Sequence, residues 1–427
     1  MVANRVLDFP PTATVETKIK IADVRFVKEL YPRLTEDNAA IERYRTAIGL
    51  LPPIAIARDG ILVDGYHRWQ AHVREGITEI EAENLGNLSD AEIIRESINR
   101  NASHGQQLSL ADKRNLSGKL WLSFGAMKPD ERISEIATLL SVTTQSVRTW
   151  TKDARAAEKA DHQAKAWDMW LDCYSHQEIA YEVGIDRSTV DNWIGEKRKT
   201  FQNSPPDSRQ HFDIWQFAKA NGDSTYFGQM PPQVVENLLW FYTEPGQTVV
   251  DPFAGGGTTI KVAKEMGRRV WSSDIAPSTP MLPIHQHNIL EGWPTDAPKH
   301  PDFILLDPPY WKQPGDKYGD HPQNLANMSL EAFYTAWAEI IKTCSAHISP
   351  QGRIAYIISP TQCEDGSVID HTTDMLRACW DAQLVVERRI IVPYSTQQAT
   401  GQQVTWAREK KRMLKLYRDL VILRKGS

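Results

Sequence analysis

Two short stretches of the chain carry side chains that could do chemistry. The first, "ILLDPPYW", is an apolar run that ends in Asp307, Pro308, Pro309 and Tyr310. The run has no polar alternation, which predicts a strand buried on both faces, and the prolines stop that strand and preset nearby carbonyl directions. A carboxylate, a rigid carbonyl and a flat ring at the end of a parallel strand would suit a planar group that carries an amine. An ordinary strand end with a satisfied aspartate is the alternative.

The second stretch is a glycine-rich turn. "DPFAGGGTT", residues 251–259, leads from the apolar run "QTVV" into the helical pattern "TTIKVAKEMG". Glycines let such a turn approach a ligand closely, and the following helix start offers unpaired amides. The turn lacks both the Gly-Lys-Ser/Thr of a phosphate loop and the Gly-x-Gly-x-x-Gly dinucleotide spacing. The next predicted strand ends at Asp274, which could bind a ribose diol, and Asn288 could contact an adenine edge or be a plain loop residue.

Composition limits the function classes. The chain has 427 residues, more than one typical domain, and its net charge of −5 means that any nucleic-acid contact must come from local basic patches. The four cysteines have no paired spacing, which argues against a zinc ribbon or a disulfide framework, and no metal is expected. Because no run resembles a signal peptide or reaches membrane-spanning length, we expect a cytoplasmic protein with no membrane partner.

Changes in pattern divide the chain into five predicted segments. After residue 210, strand-like runs alternate with helical patterns, which predicts an α/β domain with a largely parallel sheet and a closing antiparallel hairpin. A polar linker with two prolines precedes this domain, and an α+β region and two all-α regions come before the linker. The predicted segments are 1–107 (α+β), 108–156 (first all-α region), 157–200 (second all-α region), 201–210 (linker) and 211–427 (α/β).

The two all-α regions share one pattern. "ISEIATLLSVTTQSVRTW" aligns with "HQEIAYEVGIDRSTVDNW", so that Ala137 matches Ala180 and Ser141 matches Gly184. This spacing predicts tandem helix-turn-helix units, although either one alone could be an ordinary helical hairpin. The second helix of each unit is the expected source of base and phosphate contacts. The candidate DNA-binding residues are Thr144, Gln145, Arg148, Lys152, Arg187, Ser188, Asn192 and Lys197.

Together, "DPFAGGGTT" and "DPPYW" resemble the two hallmark motifs of the S-adenosylmethionine-dependent amino-methyltransferases of DNA. The resemblance covers about residues 211–427 and implies a Rossmann-like sheet, S-adenosyl-L-methionine as cofactor, double-stranded DNA as partner and a role in restriction-modification. The glycine loop has the sequence typical of the class in which this loop follows the catalytic motif. Here it precedes the catalytic motif, so the class stays open. The implied or candidate cofactor-binding residues are Asp251, Phe253, Ala254, Gly255, Gly257, Thr258, Asp274 and Asn288.

The resemblance also implies roles for the Asp-Pro-Pro-Tyr motif. Asp307 and the carbonyl of Pro308 would accept the two hydrogens of an exocyclic amine, which is a poor nucleophile, and Tyr310 would stack on the base. The base must be flipped out of the duplex. In this family the tyrosine form favours N6 of adenine. The alternatives are N4 of cytosine, an RNA base, and a non-catalytic regulator that only senses the cofactor. Residues 311–324 could be a lid or plain surface.

The N-terminal segment contains "PPIAIARDGILVDGYHRWQAH", which predicts two short strands joined by Asp59-Gly60 and then a helix. It is similar to the ParB-like domain of partition proteins, and "ESINRN" loosely matches the second nucleotide motif of that family. Gly65, His67 and Arg68 could bind a phosphate at the helix start. Because Tyr66 replaces the family's glutamate, nucleotide hydrolysis is not assumed. Nucleotide binding, DNA binding and a scaffold or dimerisation role all stay open.

Few residues follow the strand-like run "VVERRIIVPY", too few for a large separate recognition domain. The polar segment 395–403 could touch DNA. We therefore expect the tandem helices to supply much of the sequence recognition. A homodimer is also left open.

Overall fold

The structure is a computed structural model, which describes residues 15–33, 37–103, 108–217, 230–277, 279–312, 323–363, 365, 367–393 and 401–426. The chain forms two compact units, Met1–Asp161 and His162–Ser427. The finer division into five segments stays a prediction. None of the helices in the described ranges is long and apolar enough to cross a membrane.

The first unit is an α+β structure. Its strands are β1 (Val15–Lys20), β2 (Ile54–Ile56), β3 (Leu62–Asp64) and β4 (Glu79–Asn84). They form a sheet in the order β1-β4-β2-β3, in which only β2 and β4 are parallel. The helices are α1 (Asn38–Arg45), α2 (Tyr66–Arg74), α3 (Asp90–Ser103), α4 (Leu110–Ser123), α5 (Pro129–Leu140), α6 (Thr144–Trp150) and α7 (Lys152–Leu171), which continues into the second unit. The two short strands and the helix after them follow in the predicted order.

The second unit contains a large sheet with helices. Its strands are β5 (Thr248–Asp251), β6 (Arg269–Asp274), β7 (Ile284–Gln286), β8 (Phe303–Leu306), β9 (Arg353–Ile358), β10 (Thr361–Gln362), β11 (Val368–Ile369), β12 (Leu384–Pro393) and β13 (Tyr417–Lys425). Its helices are α8 (His176–Val183), α9 (Arg187–Lys199), α10 (Pro232–Tyr242), α11 (Thr258–Glu265), α12 (Leu330–His347), α13 (His371–Asp381) and α14 (Gly401–Glu409). Short 3-10 helices occupy Ile21–Asp23, Lys28–Leu30, Ile48–Leu50, Arg58–Gly60, Ile289–Glu291 and Leu325–Asn327.

The seven-stranded sheet has the order β12-β13-β9-β8-β5-β6-β7. Every neighbouring pair is parallel except those of β13, which runs antiparallel to both β12 and β9. The central strand β8 is buried on both faces, because Ile304 and Leu306 belong to the core on one side, and Phe303 and Leu305 to the core on the other. The predicted α/β class is confirmed. The closing strands β12 and β13 are antiparallel as predicted, but α14 lies between them in the sequence, so they do not form a simple hairpin.

Both predicted helix-turn-helix units form, one in each compact unit. The aligned residues Ser141 and Gly184 follow α5 and α8 and both have positive φ, 49° and 73°. One residue later, the backbone amide donates to the carbonyl of the aligned alanine at 3.0 Å in each turn. The aligned valines, Val147 and Val190, are completely buried. The repeated pattern therefore encodes the same turn twice, with the small residue in the left-handed conformation.

The segment predicted as a linker packs against the second unit. Ser208 Oγ donates to Glu236 at 2.7 Å, and the amide of Gln210 donates to Asn237 Oδ1 at 2.8 Å, both on α10. Near its start, the Asn203 side chain accepts a hydrogen bond from Arg268. Residues 201–210 are therefore docked rather than a free tether, which the polar composition did not indicate.

The shared turn can be tested by exchanging its two residues. Ser141→Gly should raise the free energy of local opening of α5 and α6 by about 0.5–1 kcal/mol, because glycine lacks the Cβ penalty at positive φ. Gly184→Ser should lower the free energy of local opening of α8 and α9 by a similar amount, because serine brings the Cβ penalty to a position with positive φ. No atom lies within 4 Å of a Cβ added at Gly184, so a steric clash does not contribute. Amide hydrogen exchange of the full chain measures both. Changes of the same sign would contradict a shared turn conformation.

Candidate active site

The carboxyl ends of β5 and β8 lie side by side. The strands pair in parallel, with Val249 opposite Phe303 and Val250 opposite Ile304. From this pair the sheet adds β6 and β7 on one side and β9 on the other, so its topological switch point lies between these two strand ends. The glycine turn and the Asp-Pro-Pro-Tyr motif therefore emerge at the same place.

Asp251 supports the glycine turn from inside the protein. It is buried at the end of β5, where its Oδ1 accepts the amide of Phe253 at 2.9 Å and its carboxyl also accepts the hydroxyl of Thr259. Burial raises the pKa of Asp251 to about 6, although these hydrogen bonds act in the opposite direction. Because these hydrogen bonds join Asp251 to the turn itself, Asp251 stabilises the conformation of the turn. Its predicted role as a cofactor-binding residue stays a prediction.

Asp274 ties the same turn to the end of β6. One carboxylate oxygen accepts the amide of Gly255 at 3.0 Å, and the other accepts that of Ala276 at 2.9 Å. Each oxygen keeps a further lone pair for a ribose hydroxyl. Gly255 and Gly257 have φ of 47° and 76°, and a Cβ on Gly257 would lie 2.2 Å from Leu282 Cδ1. Both conformation and space therefore favour glycine in the turn.

The remaining predicted cofactor residues surround this turn. Ala254 and Thr258, the first residue of α11, are buried. Asn288 is already engaged, because its Oδ1 accepts the amide of Leu290 at 3.1 Å and its Nδ2 donates to Gln323 at 2.6 Å. One hydrogen on Nδ2 and one lone pair on Oδ1 remain beside these two bonds, and the contact with adenine stays a prediction.

These groups fit a cofactor with a nucleoside end and an amino-acid end. Asp274 offers carboxylate oxygens at the end of β6, and the turn between Gly255 and Gly257 leads straight into the amino end of α11. A carboxylate suits the ribose diol, and backbone amides at a helix start suit a carboxylate or another polar group. The donor set is therefore the one that S-adenosylmethionine would require.

Asp307 occupies the position directly after β8. Burial raises its pKa to about 7, the charge of Arg418 opposes this rise, and the nearby Asp251 carboxyl adds to it. The hydroxyl of Tyr310 donates to Asp307 Oδ1 at 3.3 Å. The carboxyl therefore changes between its neutral and ionised forms near neutral pH, as a group that accepts and releases a proton must.

The rest of the motif is packed into the protein. Pro308 is buried and Pro309 half-buried, and Tyr310 and Trp311 are each only 7% exposed and belong to the core. The ring of Tyr310 therefore has little free face for a base. The hydroxyl is turned towards Asp307, and the stacking role stays a prediction.

Arg418 is a site residue that the motifs did not indicate. It is 5% exposed and is the second residue of β13. Because β13 is antiparallel, it begins where the parallel strands end, and Asp419 pairs with Ile358 at the end of β9. The charge of Arg418 acts on Asp307 at this edge. The only sequence signal was a charged pair ahead of an apolar run.

A buried hydrogen-bond chain anchors the segment after the motif. His371 contacts the hydroxyl of Tyr334 through Nδ1 at 3.0 Å and that of Thr361 through Nε2 at 2.8 Å. Thr361 in turn donates to the carbonyl of Trp311 at 3.4 Å. Burial lowers the pKa of His371 to about 4, so the imidazole is neutral at pH 7. One tautomer satisfies the whole chain and holds the carbonyl of Trp311 in place.

The candidate DNA-binding residues of the first helix-turn-helix fall on two helices. Thr144, Gln145 and Arg148 are exposed on α6, and Arg148 pairs with Asp130 at 3.1 Å. Lys152 was predicted on the same helix, which is wrong. The α6 helix ends at Trp150, and Lys152 begins α7.

The candidates of the second helix-turn-helix all lie on α9. Arg187, Ser188, Asn192 and Lys197 are exposed. Arg187 has a long contact of 3.9 Å to Asp191, one turn away. The ammonium group of Lys197 lies 6.0 Å from the ring of Phe201, so part of this residue supports the fold.

The predicted phosphate-binding residues of the first unit meet at the start of α2. Gly65 caps the helix with φ of 95°. Arg68 pairs with Asp64 at 2.7 Å, and His67 Nε2 accepts the amide of Asp37 at 3.1 Å. Both side chains thus have roles within the protein, and phosphate binding stays a prediction.

Two predicted features lie mainly outside the described residues. The proposed lid is residues 311–324, of which 313–322 are not described. Of the polar segment 395–403, the described residues are 401–403, at the start of α14.

A family model described as DNA methylase matches residues 109–279. The match includes the tandem helices, the glycine turn and Asp274, and it ends before Asp307. It confirms the resemblance to DNA amino-methyltransferases. It also agrees with S-adenosylmethionine as the predicted cofactor.

Individual proteins match over shorter stretches. Type II methyltransferase M.BglII of Bacillus subtilis is 28% identical over 119 residues, which are 27% of this chain and 32% of that enzyme. The chain thus spans about a third of the length of this relative. TrmN from Thermus thermophilus has a TM-score of 0.31 and 17% identity, over 47% of this chain and 50% of that one. A pNOB8-like ParB N-domain has a TM-score of 0.25 and 12% identity, over 32% of this chain and 64% of that one.

The unusual pKa of Asp307 can be tested through stability. Its folded pKa of about 7 exceeds the unfolded value of about 3.9, so the unfolded state loses its proton first, and stability falls as the pH rises between those values. Asp307→Asn removes this cost and should raise the Tm of the second unit at pH 8 by at least about 2 °C, with little effect at pH 4. The exposed Asp381→Asn is the control. A Tm difference independent of pH would contradict the raised pKa.

Proposed function

We propose that this protein is a DNA methyltransferase that moves a methyl group from S-adenosylmethionine to the exocyclic amine of a flipped base, with N6 of adenine as the target. The observation that carries the proposal is the parallel pairing of Val249 with Phe303 and Val250 with Ile304, which brings the glycine turn beside Asp307. The family match over residues 109–279 supports the class of reaction.

In this proposal the chain contributes position and proton handling. Asp307 accepts one hydrogen of the target amine and the carbonyl of Pro308 accepts the other, so that the lone pair of the nitrogen points at the cofactor. The bound cofactor supplies an electrophilic methyl group. The methylated amine must then lose a proton, and Asp307, with a pKa of about 7, can take it and release it to solvent at neutral pH.

Three residues act on Asp307, one through a hydrogen bond and two through their charges. Tyr310 holds Oδ1 through its hydroxyl, which supports a positioning role in place of base stacking. Arg418 favours the ionised carboxylate, which is the form that accepts hydrogens. Asp251 opposes ionisation from the neighbouring strand end. The balance of these charges keeps the acceptor active without leaving it permanently ionised.

Adenine is preferred to cytosine because the motif has its tyrosine form. Transfer to an RNA base is a second candidate function, against which the two helix-turn-helix folds count. Duplex DNA is the proposed partner, read in part by α6 and α9. Because α9 and residues 201–210 pack within the second unit, point variants test recognition better than removal of residues 1–205, which would strip that packing.

The catalytic assignment predicts that Asp307→Ala lowers methyl transfer at least about 100-fold, since an acceptor of the amine hydrogen is lost. Cofactor binding by calorimetry should change little, because Asp274 and the glycine turn are intact. Transfer of labelled methyl groups to duplex DNA and to tRNA, followed by nucleoside mass spectrometry, measures the reaction and its product. We expect N6-methyladenine in DNA. Undiminished transfer by the variant would reject the role of Asp307, and N4-methylcytosine would reject the choice of base.

The pH dependence of the rate tests Arg418. The wild-type kcat should rise with pH through about 7 as Asp307 ionises. Arg418→Gln should move this midpoint upward, because the charge that lowers the pKa of Asp307 is removed, and Arg418→Lys should restore it in part. The exposed Arg424→Gln, near the other end of β13, is the control. A midpoint that is unchanged in Arg418→Gln would show that Arg418 is only structural.

A further inference from the structure

The second helix-turn-helix is bound firmly to the sheet of the same unit. Lys264, at the end of α11, pairs with Asp168 at 2.9 Å and with Asp172 at 2.7 Å, near the end of α7. Arg269, the first residue of β6, donates to the carbonyl of Trp170 at 3.1 Å. The Lys264 and Asp172 side chains are 20% and 14% exposed, so this ion pair is partly shielded from solvent.

Aromatic packing reinforces the same contact. Trp167 stacks on Trp170 and on Phe201, with ring centroids 4.9 Å and 5.2 Å apart. A Cβ added to Gly267 would lie 2.5 Å from the ring of Phe201, which shows how closely the ring approaches the turn before β6. The attachment therefore combines charge pairs with a packed aromatic interface.

These contacts lie at the amino ends of the parallel strands. Arg198, near the end of α9, lies against Gly246 in the turn that enters β5. Asp191, in the middle of α9, contacts His176. Two residues before His176, the carbonyl of Tyr174 lies 3.5 Å from the Arg269 guanidinium. The recognition helix is thus held beside the strand starts, whereas Asp307 lies beyond a strand end.

The length of the strands sets the separation. The six residues of β6, Arg269–Asp274, span about 17 Å at a rise of about 3.3 Å per residue. B-DNA rises about 3.4 Å for each base pair. A duplex whose axis follows the strand direction and that touches both α9 and the catalytic edge therefore passes about five base pairs between the two points.

The exposed side chains of α9 suit a duplex. Arg187, Ser188 and Asn192 are solvent-exposed, as are Lys197 and Lys199 near the end of the helix, where Lys199 pairs with Glu196 at 2.7 Å. Arginine and asparagine read base edges in the major groove, and lysines bind phosphates. DNA is thus the partner whose chemistry this surface matches.

We propose that α9 reads a DNA element about five base pairs to one side of the methylated base, at a spacing that the docked helix-turn-helix keeps constant. This inference rests on the proposed function and deepens it, since it makes recognition and methylation separate points on one duplex. The contact between α7 and α11 then acts as a fixed spacer between them.

The first test maps which bases matter. The full-length protein methylates a randomised duplex library, and sequencing with modified-base detection gives the base preference at each distance from the methylated position. Arg187→Ala and Asn192→Ala should erase preferences only at about five base pairs or more from that position. The exposed Lys261→Ala, which removes a positive charge outside the helix-turn-helix, is the control and should leave them unchanged. Loss of preference confined to bases beside the methylated one, or no loss, would overturn the inference.

The second test changes the spacing. Insertion of two to four base pairs between the α9 element and the target should lower the methylation rate of the wild-type protein at least about tenfold. Lys264→Ala, which breaks the ion pairs with α7, should tolerate the insertions better. Equal rates on all spacings by the wild type would overturn the fixed spacer. No methyl transfer by the wild type on any duplex would instead contradict the proposed function itself, which separates the two failures.

Discussion

Two backbone pairs, Val249 with Phe303 and Val250 with Ile304, hold β5 parallel to β8, and the candidate active site depends on this contact. It brings together a glycine turn and a carboxylate that lie far apart in the sequence, at the place where parallel strands are added on opposite sides of the β5 and β8 pair. A crevice forms at such a point because the helices that follow neighbouring strands go to opposite faces. Each strand end also stops abruptly, one in a glycine turn and the other in two prolines.

The same pairing has an electrostatic cost. It brings Asp251 close enough to Asp307 to disfavour the ionisation of Asp307, while Asp274 acts in the same way on Asp251, in surroundings that already favour neutral carboxyls. Asp251 is stabilised by the hydrogen bonds of the turn that it supports. Asp307 instead has the hydroxyl of Tyr310 and the charge of Arg418. The two carboxyls thus differ in role because they differ in partners, one shaping the loop and the other left close to its ionisation midpoint.

Much of the fold could be predicted because the relevant signals are local. The unbroken apolar run before Asp307 indicated a strand buried on both faces, and the aligned Ser141 and Gly184 indicated two identical turns. The effect of the Arg418 charge on Asp307 could not be found in this way, since it requires β13 to run antiparallel beside β9. The buried ring of Tyr310 and the docking of residues 201–210 likewise depend on packing between segments distant in sequence. Lys152 was misplaced because the break after Trp150 has no glycine or proline to mark it.

The most direct test of the shared site is a crystal structure of the full-length protein with a non-reactive analogue of S-adenosylmethionine and a duplex that contains the methylated sequence. The account predicts the analogue against the glycine turn, and an extruded base whose amine lies within about 3.5 Å of the group that replaces the methyl and is hydrogen-bonded to Asp307. A base bound elsewhere, or an analogue that does not contact Gly255 and Asp274, would contradict it.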